Sequence, residues 1–175
     1  MTAEALNTET TESASAVEAR LAELGITLPG VAAPVAAYVP AVVSGNYVYT
    51  SGQLPFVDGK LVATGKVSSG TESTSDEVTV SPEDAKNYAA IAAVNALAAV
   101  KSVIGDLDRI TRIVKVVGFV ASDPSFTGQP GVINGASELL GKVLGDAGQH
   151  ARSAVGVAVL PLDAPVEVEI IAEFS

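Results

Sequence analysis

The sequence predicts an α/β (α+β) domain in which a single mixed β-sheet carries two helices on one face. Two segments with a 3.6-residue apolar period, 81–104 and 132–144, alternate with β-branched runs in the order strands, helix, strand, helix, two strands. The 175 residues suit one core rather than two. Hydrophobic residues make up 48% of the chain and aromatic ones only 5%, so Ala, Val, Leu and Ile must build the interior. Such a core depends on close approach of helix and sheet backbones.

Residues 1–14 are mostly Thr, Glu, Ala and Ser without an apolar period and read as a disordered tail. Residues 15–30 read as an N-terminal helical extension, with Val17, Leu21 and Leu24 on one side of a short helix stopped at Gly25. The body, 31–175, opens with two short strands, 37–43 and 47–51, turned at Gly45-Asn46 as a β-hairpin. The stretch 55–75 is loop-rich, with strand candidates near 61–66 and 74–80. Ser81-Pro82-Glu83-Asp84 then begins a helix: serine caps, proline suits the first helical position, and acids suit the first turn. That helix is expected to reach Ile104 and stop at Gly105, packing through Ala85, Ala89, Ala92, Ala96, Val100 and Val103. A β-branched strand follows over 110–121, then a helix over 132–144, where Asn134 near the start is a candidate cap. Two strands, 152–160 and 166–174, close the chain and are expected to form a hairpin centred on Asp163. The second face of this sheet has no helix left to cover it, so a partner subunit is expected there.

The formal charge of −10 is concentrated in two segments. Residues 1–25 hold five acids against Arg20 alone, and residues 71–84 hold five acids and no base, leaving the rest close to neutral. No clustered Lys/Arg footprint of nucleic-acid binding is present, and any anionic ligand has to be small and held by a local cation. With no cysteine and one histidine, His150, neither a thiolate site nor an all-protein zinc site is expected. The N-terminus has no basic region followed by an apolar run, and the apolar stretch 88–100 is too short to span a bilayer. A cytoplasmic protein without membrane partners is expected.

Alternation along the strand from Arg152 places Arg152, Ala154, Gly156, Ala158 and Leu160 on one face. Two readings are open. The small neighbours leave a pocket in which the guanidinium grips a carboxylate through two parallel hydrogen bonds. Alternatively, they admit the alanine-rich helix and Arg152 is a solvated strand end. His150 lies two residues before Arg152, as a proton donor or a loop histidine. Glu167, Glu169 and Glu173 alternate along the last strand, which by itself suits a solvated face.

The segment His150-Ala151-Arg152-Ser153-Ala154, with Leu160-Pro161 and Val166-Glu167-Val168-Glu169 downstream, resembles the C-terminal signature of the Rid (reactive intermediate deaminase) family, formerly YjgF. Tyr38-Val39-Pro40-Ala41-Val42-Val43-Ser44-Gly45-Asn46 and Tyr49-Thr50-Ser51-Gly52-Gln53-Leu54-Pro55 are similar to its N-terminal signature. Asn95-Ala96-Leu97, Gly105-Asp106-Leu107, Phe119-Val120 and Val132-Ile133-Asn134 fall between them in the family's order, so the resemblance covers roughly 34–174.

The resemblance implies a chorismate-mutase-like fold and a homotrimer with a ligand cleft between each pair of subunits. It also implies a hydrolase of the 2-iminobutanoate/2-iminopropanoate deaminase type. Such an enzyme converts enamines and imines of small 2-amino acids to 2-keto acids and ammonia, without metal or organic cofactor. Arg152 matches the arginine that grips the substrate carboxylate, and Glu167 the acid that directs water. Tyr38, Ser51 and Asn134 match pocket-lining residues, and backbone N–H groups near Gly52 and Ala154 match further donors. Ala154 stands where the archetype has cysteine, and Gln149-His150 where it has Phe-Pro. A non-catalytic binder of 2-keto acids on the same scaffold is the alternative. An RNA-cleaving role, also proposed within the family, is disfavoured by the charge. In the expected terminal hairpin, Glu167 lies about 23 Å from Arg152, so a shared site needs two subunits.

Overall fold

A computed structural model describes residues 15–31, 37–70 and 79–175. The tail 1–14 and most of the acidic segment, 71–78, lie outside the described residues. In chain order the elements are α1 (Ala16–Glu23), β1 (Ala41–Ser44), β2 (Tyr47–Thr50), β3 (Phe56–Val57), β4 (Lys60–Leu61), β5 (Lys66–Val67), β6 (Thr79–Val80), α2 (Pro82–Ile104), β7 (Ile110–Ala121), α3 (Gln129–Leu144), β8 (Ala151–Val157) and β9 (Val166–Phe174). The expected strand near 61–66 is two separate two-residue strands, β4 and β5, and 74–80 contributes only β6 among the described residues.

The main sheet has five strands in the order β1-β2-β9-β7-β8; β3 pairs with β4 and β5 with β6 in separate two-stranded ribbons. All main pairings are antiparallel except β7 with β8, so the sheet is mixed. The hairpin expected between the last two strands does not form: β7 lies between β8 and β9. Burial explains the arrangement. Val166, Val168, Ile170 and Ala172 of β9 are at most 1% exposed, which demands a central position under the helices. The smaller inward residues of β8 are satisfied at an edge, and the connection through a 3-10 turn at Pro161–Asp163 carries the chain to the far side of β7.

Both long helices lie on one face, α2 over β1, β2 and β9 and α3 over β7 and β8. The Ser81 hydroxyl accepts from the amide of Asp84, and Gly105 ends α2. Ala85, Ala89, Ala92, Ala96 and Val100 are fully buried as expected, but Val103 is exposed, and Leu97 and Ile104 are buried instead. The two helices touch backbone to backbone at Gly135, where a Cβ would collide with the Lys86 carbonyl. Alpha2 has 23 residues and contains an 18-residue window with a mean hydropathy of 1.4, long and apolar enough to cross a bilayer, contrary to the estimate from the shorter apolar run. Here 56% of its apolar window is buried in the core.

Alpha1 continues the helical layer: Leu21 is buried, and Arg20 donates to the Val143 carbonyl of α3. Its first turn is capped from afar by Asp108, which accepts from the Ser15 hydroxyl and the amides of Ala16 and Val17 at 2.7–2.8 Å. No described element lies over the opposite sheet face, where Tyr49, Val42 and Val155 are 42–50% exposed.

Candidate functional site

Arg152 is the second residue of the edge strand β8, opposite Val116 of β7, so its side chain rises on the helix-covered face. There it runs along α3. Its Nη1 donates to Asn134 Oδ1 at 2.8 Å and to Ser137 Oγ at 3.2 Å, and its Nη2 to the Pro130 carbonyl at 3.2 Å. All three acceptors are neutral. Among the described residues no carboxylate lies within ion-pair distance of Arg152. Of its five donors, Nε–H and one N–H of Nη2 have no partner among the described residues. Those two atoms form one edge of the guanidinium plane, the edge that meets a carboxylate as a fork. The arginine is thus neither salt-bridged nor a freely solvated strand end.

Asn134 is not a helix cap. Alpha3 begins a turn earlier, at Gln129 after Gly128, because Pro130 suits the first turn, and Asn134 instead holds Arg152. Ser137 was not anticipated; it lies three residues beyond Asn134 and so on the same side of α3. A polar pair at that spacing facing the strand is the signal that could have found it. His150 joins this group: its Nε2 is 2.9 Å from Ser137 Oγ and its Nδ1 is 2.6 Å from the Gly148 carbonyl oxygen. Ala154 packs against the core beside them. The cavity expected from the small strand residues lies further along β8. About 360 Å³ in volume, it is bounded by Ser122, Phe126, Gln129, Gly156 and Ala158, and Arg152 is not among its lining residues.

The remaining expected residues form a second group. Glu167 lies on β9 between the buried Val166 and Val168, so it points to the uncovered face. Its carboxylate sits on Gly52, where a Cβ would overlap it, so a larger residue there would displace the Glu167 side chain. Gly52 follows the end of β2 and is held by Gln53, which exchanges backbone hydrogen bonds with Val168. The Ser51 hydroxyl donates to the Val39 carbonyl at 2.7 Å, which ties the segment bearing the exposed Tyr38 to the same place. Ser51 has no histidine partner, as a nucleophile would need. The Glu167 carboxylate has no hydrogen-bond or ion-pair partner among the described residues. Burial, reinforced by the neighbouring Glu169 carboxylate, holds its pKa above the ordinary glutamate value.

The structure therefore brings Arg152, Asn134, Ser137, His150 and Ala154 together, and separately Tyr38, Ser51, Gly52 and Glu167. Arg152 is in register with Ile170 across β7, three residues from Glu167. Two strand spacings and three residues separate them by roughly 14 Å between backbones, and the two side chains leave opposite faces. They do not converge within one chain, though strand order rather than hairpin length is the reason. Among the described residues no group of three or more His, Asp or Glu is placed to hold a metal ion.

Comparison with known proteins agrees with this architecture. Residues 18–174 match the family described as "YjgF/chorismate mutase-like, putative endoribonuclease". Protein TCP17 of Trypanosoma cruzi is 42% identical over 160 residues, covering 91% of this chain and 94% of that protein. A crystal structure of a protein of unknown function from Agrobacterium tumefaciens superimposes with a TM-score of 0.80 at 49% identity, covering 91% of this chain and 93% of that one. The structure of E. coli TdcF with bound serine does so with a TM-score of 0.56 at 26% identity, covering 84% and 93%. With its mixed sheet, one-sided helices and match across nearly the whole body, the chain belongs to the YjgF (Rid) family.

Proposed function

We propose that this protein hydrolyses enamines and imines of small 2-amino acids to 2-keto acids and ammonia, in clefts between the subunits of a homotrimer. The observation that carries the reading is the state of Arg152: positively charged, fixed by three neutral acceptors, and left with the edge of Nε–H and one Nη2 N–H unused among the described residues. A carboxylate forked on that edge would be oriented as well as bound, which fixes the adjacent C=N carbon for attack. Glu167 supplies the second function from a neighbouring subunit. A partly buried carboxylate whose pKa is raised is a stronger base than an ordinary glutamate and is suited to taking a proton from water. The uncovered sheet face, with Tyr49, Val42 and Val155 exposed, supports burial against other copies of the chain.

The reaction asks for no metal or organic cofactor. Serine bound to TdcF is a small 2-amino acid carboxylate, which favours the same ligand class here. A ribonuclease reading is opposed by charge, with 20 acids against 10 bases in the chain. We place the protein in the cytoplasm, apart from membranes.

The separation of Arg152 from Glu167 in one chain favours a second reading if no trimer forms: a carboxylate-binding protein without catalysis. An amino-acid oxidase that generates imines in situ separates the two. Faster keto-acid formation across several amino acids is expected, with loss on replacing Arg152; rates equal to the uncatalysed ones together with intact 2-keto acid binding would leave only the binder.

A further inference from the structure

The Arg152 guanidinium is held from behind by a chain of hydrogen bonds. Its Nη1 donates on the α3 side to Asn134 Oδ1 at 2.8 Å and to Ser137 Oγ at 3.2 Å. A serine hydroxyl has one hydrogen and can turn, so its lone pairs stay on Nη1 only where another group takes that hydrogen. In α2, Ser102 gives its hydrogen to its own helix, at the Ala99 carbonyl 2.7 Å away. At Ser137 the acceptor is His150. The Gly148 carbonyl can only accept, so His150 Nδ1, 2.6 Å from it, carries the ring hydrogen. In the neutral ring Nε2 is then a bare acceptor, and the Ser137 hydroxyl 2.9 Å away donates to it. The chain starts from a fixed point: Gly148 is buried directly against α3, where a Cβ would collide with the Leu140 carbonyl.

We propose that His150 is a positioning residue: acting through Ser137, it fixes the rotation of the Arg152 guanidinium and so keeps the Nε–Nη2 edge ready for a carboxylate. The inference rests on the reading of Arg152 as the carboxylate-binding group and adds the residue that aims it. His150 stands directly before β8, two residues from Arg152 and on the same face, so ring and guanidinium meet α3 together. It touches no substrate, because it lies behind Nη1, on the side of the guanidinium opposite that edge. Without the ring, the Ser137 hydrogen turns to other acceptors, the carbonyls of its own helix or the Asn134 oxygen that Nη1 itself uses. Either choice takes an aimed lone pair from Nη1 and leaves the guanidinium held at two points in place of three. Its charge and its place on β8 are unchanged, so carboxylate binding weakens without being lost.

His150 is the sole histidine in the chain, so its ring nitrogens can be read directly by 15N NMR in the intact protein. The Nδ1–H tautomer is expected in the neutral form; the Nε2–H tautomer would overturn the proposal. Two amides then separate the ring's two contacts. His150→Asn keeps a donor for the Gly148 carbonyl and ends short of Ser137, whereas His150→Gln places its amide oxygen where Nε2 lies. In the ligand-free wild type, rotation about the Nε–Cζ bond of Arg152 should be slow enough to resolve its Nη1 and Nη2 signals, assigned through Arg152→Lys. Exchange between them should quicken in His150→Asn and stay slow in His150→Gln. The Kd for pyruvate should rise about 3- to 10-fold in His150→Asn, the effect of one neutral hydrogen bond, and stay within about twofold of wild type in His150→Gln. Far-UV circular dichroism should not change in either. Ser137→Ala, which suits a helix interior, breaks the same link from the other side and should repeat the loss if His150→Asn does not fold. Slow exchange in the variant that loses the link overturns the proposal, as does wild-type affinity there, or a His150→Gln protein as impaired as His150→Asn. Wild-type protein that binds no pyruvate removes the carboxylate reading, whereas the Nη exchange rates, read without ligand, still decide whether His150 fixes the guanidinium.

Discussion

Arg152 gives three of its five N–H groups to neutral acceptors and keeps its full charge for an incoming anion. A lysine at the same place would keep charge but lose the fork. Arg152→Lys should therefore weaken pyruvate binding about 10- to 100-fold, the loss of one charge-assisted hydrogen bond of about 1.5–3 kcal/mol, while far-UV circular dichroism stays unchanged; calorimetric titration reads it. At Glu167 the expected effect is on stability. Its pKa in the folded protein is raised, first by burial and then by Glu169. The folded state thus holds its proton more tightly than the unfolded state, and stability falls as pH rises from the ordinary glutamate value of 4.5 through the raised one. Glu167→Gln should flatten that fall and raise the thermal midpoint at neutral pH, while abolishing imine hydrolysis. A midpoint at neutral pH equal to or below that of the wild type would contradict the assignment of burial as the cause.

Alpha2 and α3 meet where Gly135 lies on the Lys86 carbonyl, and a methyl group there must push the helices apart. Gly135→Ala should destabilise by about 1–3 kcal/mol, the usual cost of overpacking, measured by chemical denaturation. Asp108, on the turn before β7, caps α1 through two backbone amides, and hydrogen bonds, from Val17 above all and then from Ala16 and Ser15, hold its pKa below the ordinary value against the opposing effect of burial. Asp108→Ala should cost about 1 kcal/mol and speed amide exchange in α1. The ease with which elements could be read from sequence follows the locality of their signals. Alpha2 was readable to the residue at Ser81 and Gly105, because caps and first-turn acids are local chemistry. The order of β8 and β9 was not, because alternation tells which face a residue takes but not which strand lies beside it. Arg152 stood out through its motif. Its partnership with Ser137 and His150 did not, because docking of β8 on α3 creates it, and a serine inside a helix reads as solvated.

At the scale of the whole molecule, one chain holds two separate groups of candidate site residues. The guanidinium group lies between α3 and β8, and the carboxylate group lies on the uncovered face beside Gly52. The same face leaves Val155 exposed within the isolated chain. If that face is covered by other copies, Val155→Asp should dissociate the assembly in sedimentation without unfolding the protomer, and activity should fall with it. Under the proposed function, the two groups make a whole site where Arg152 of one copy meets Glu167 of another.

Subunit complementation tests that claim most directly. Arg152→Ala and Glu167→Gln chains, each inactive alone, are co-expressed and the mixed oligomers assayed for imine hydrolysis. Random mixing in a ring should rebuild about a quarter of the sites with both residues intact and recover about that fraction of wild-type activity. Mixed oligomers as inactive as either parent would contradict a site shared between subunits.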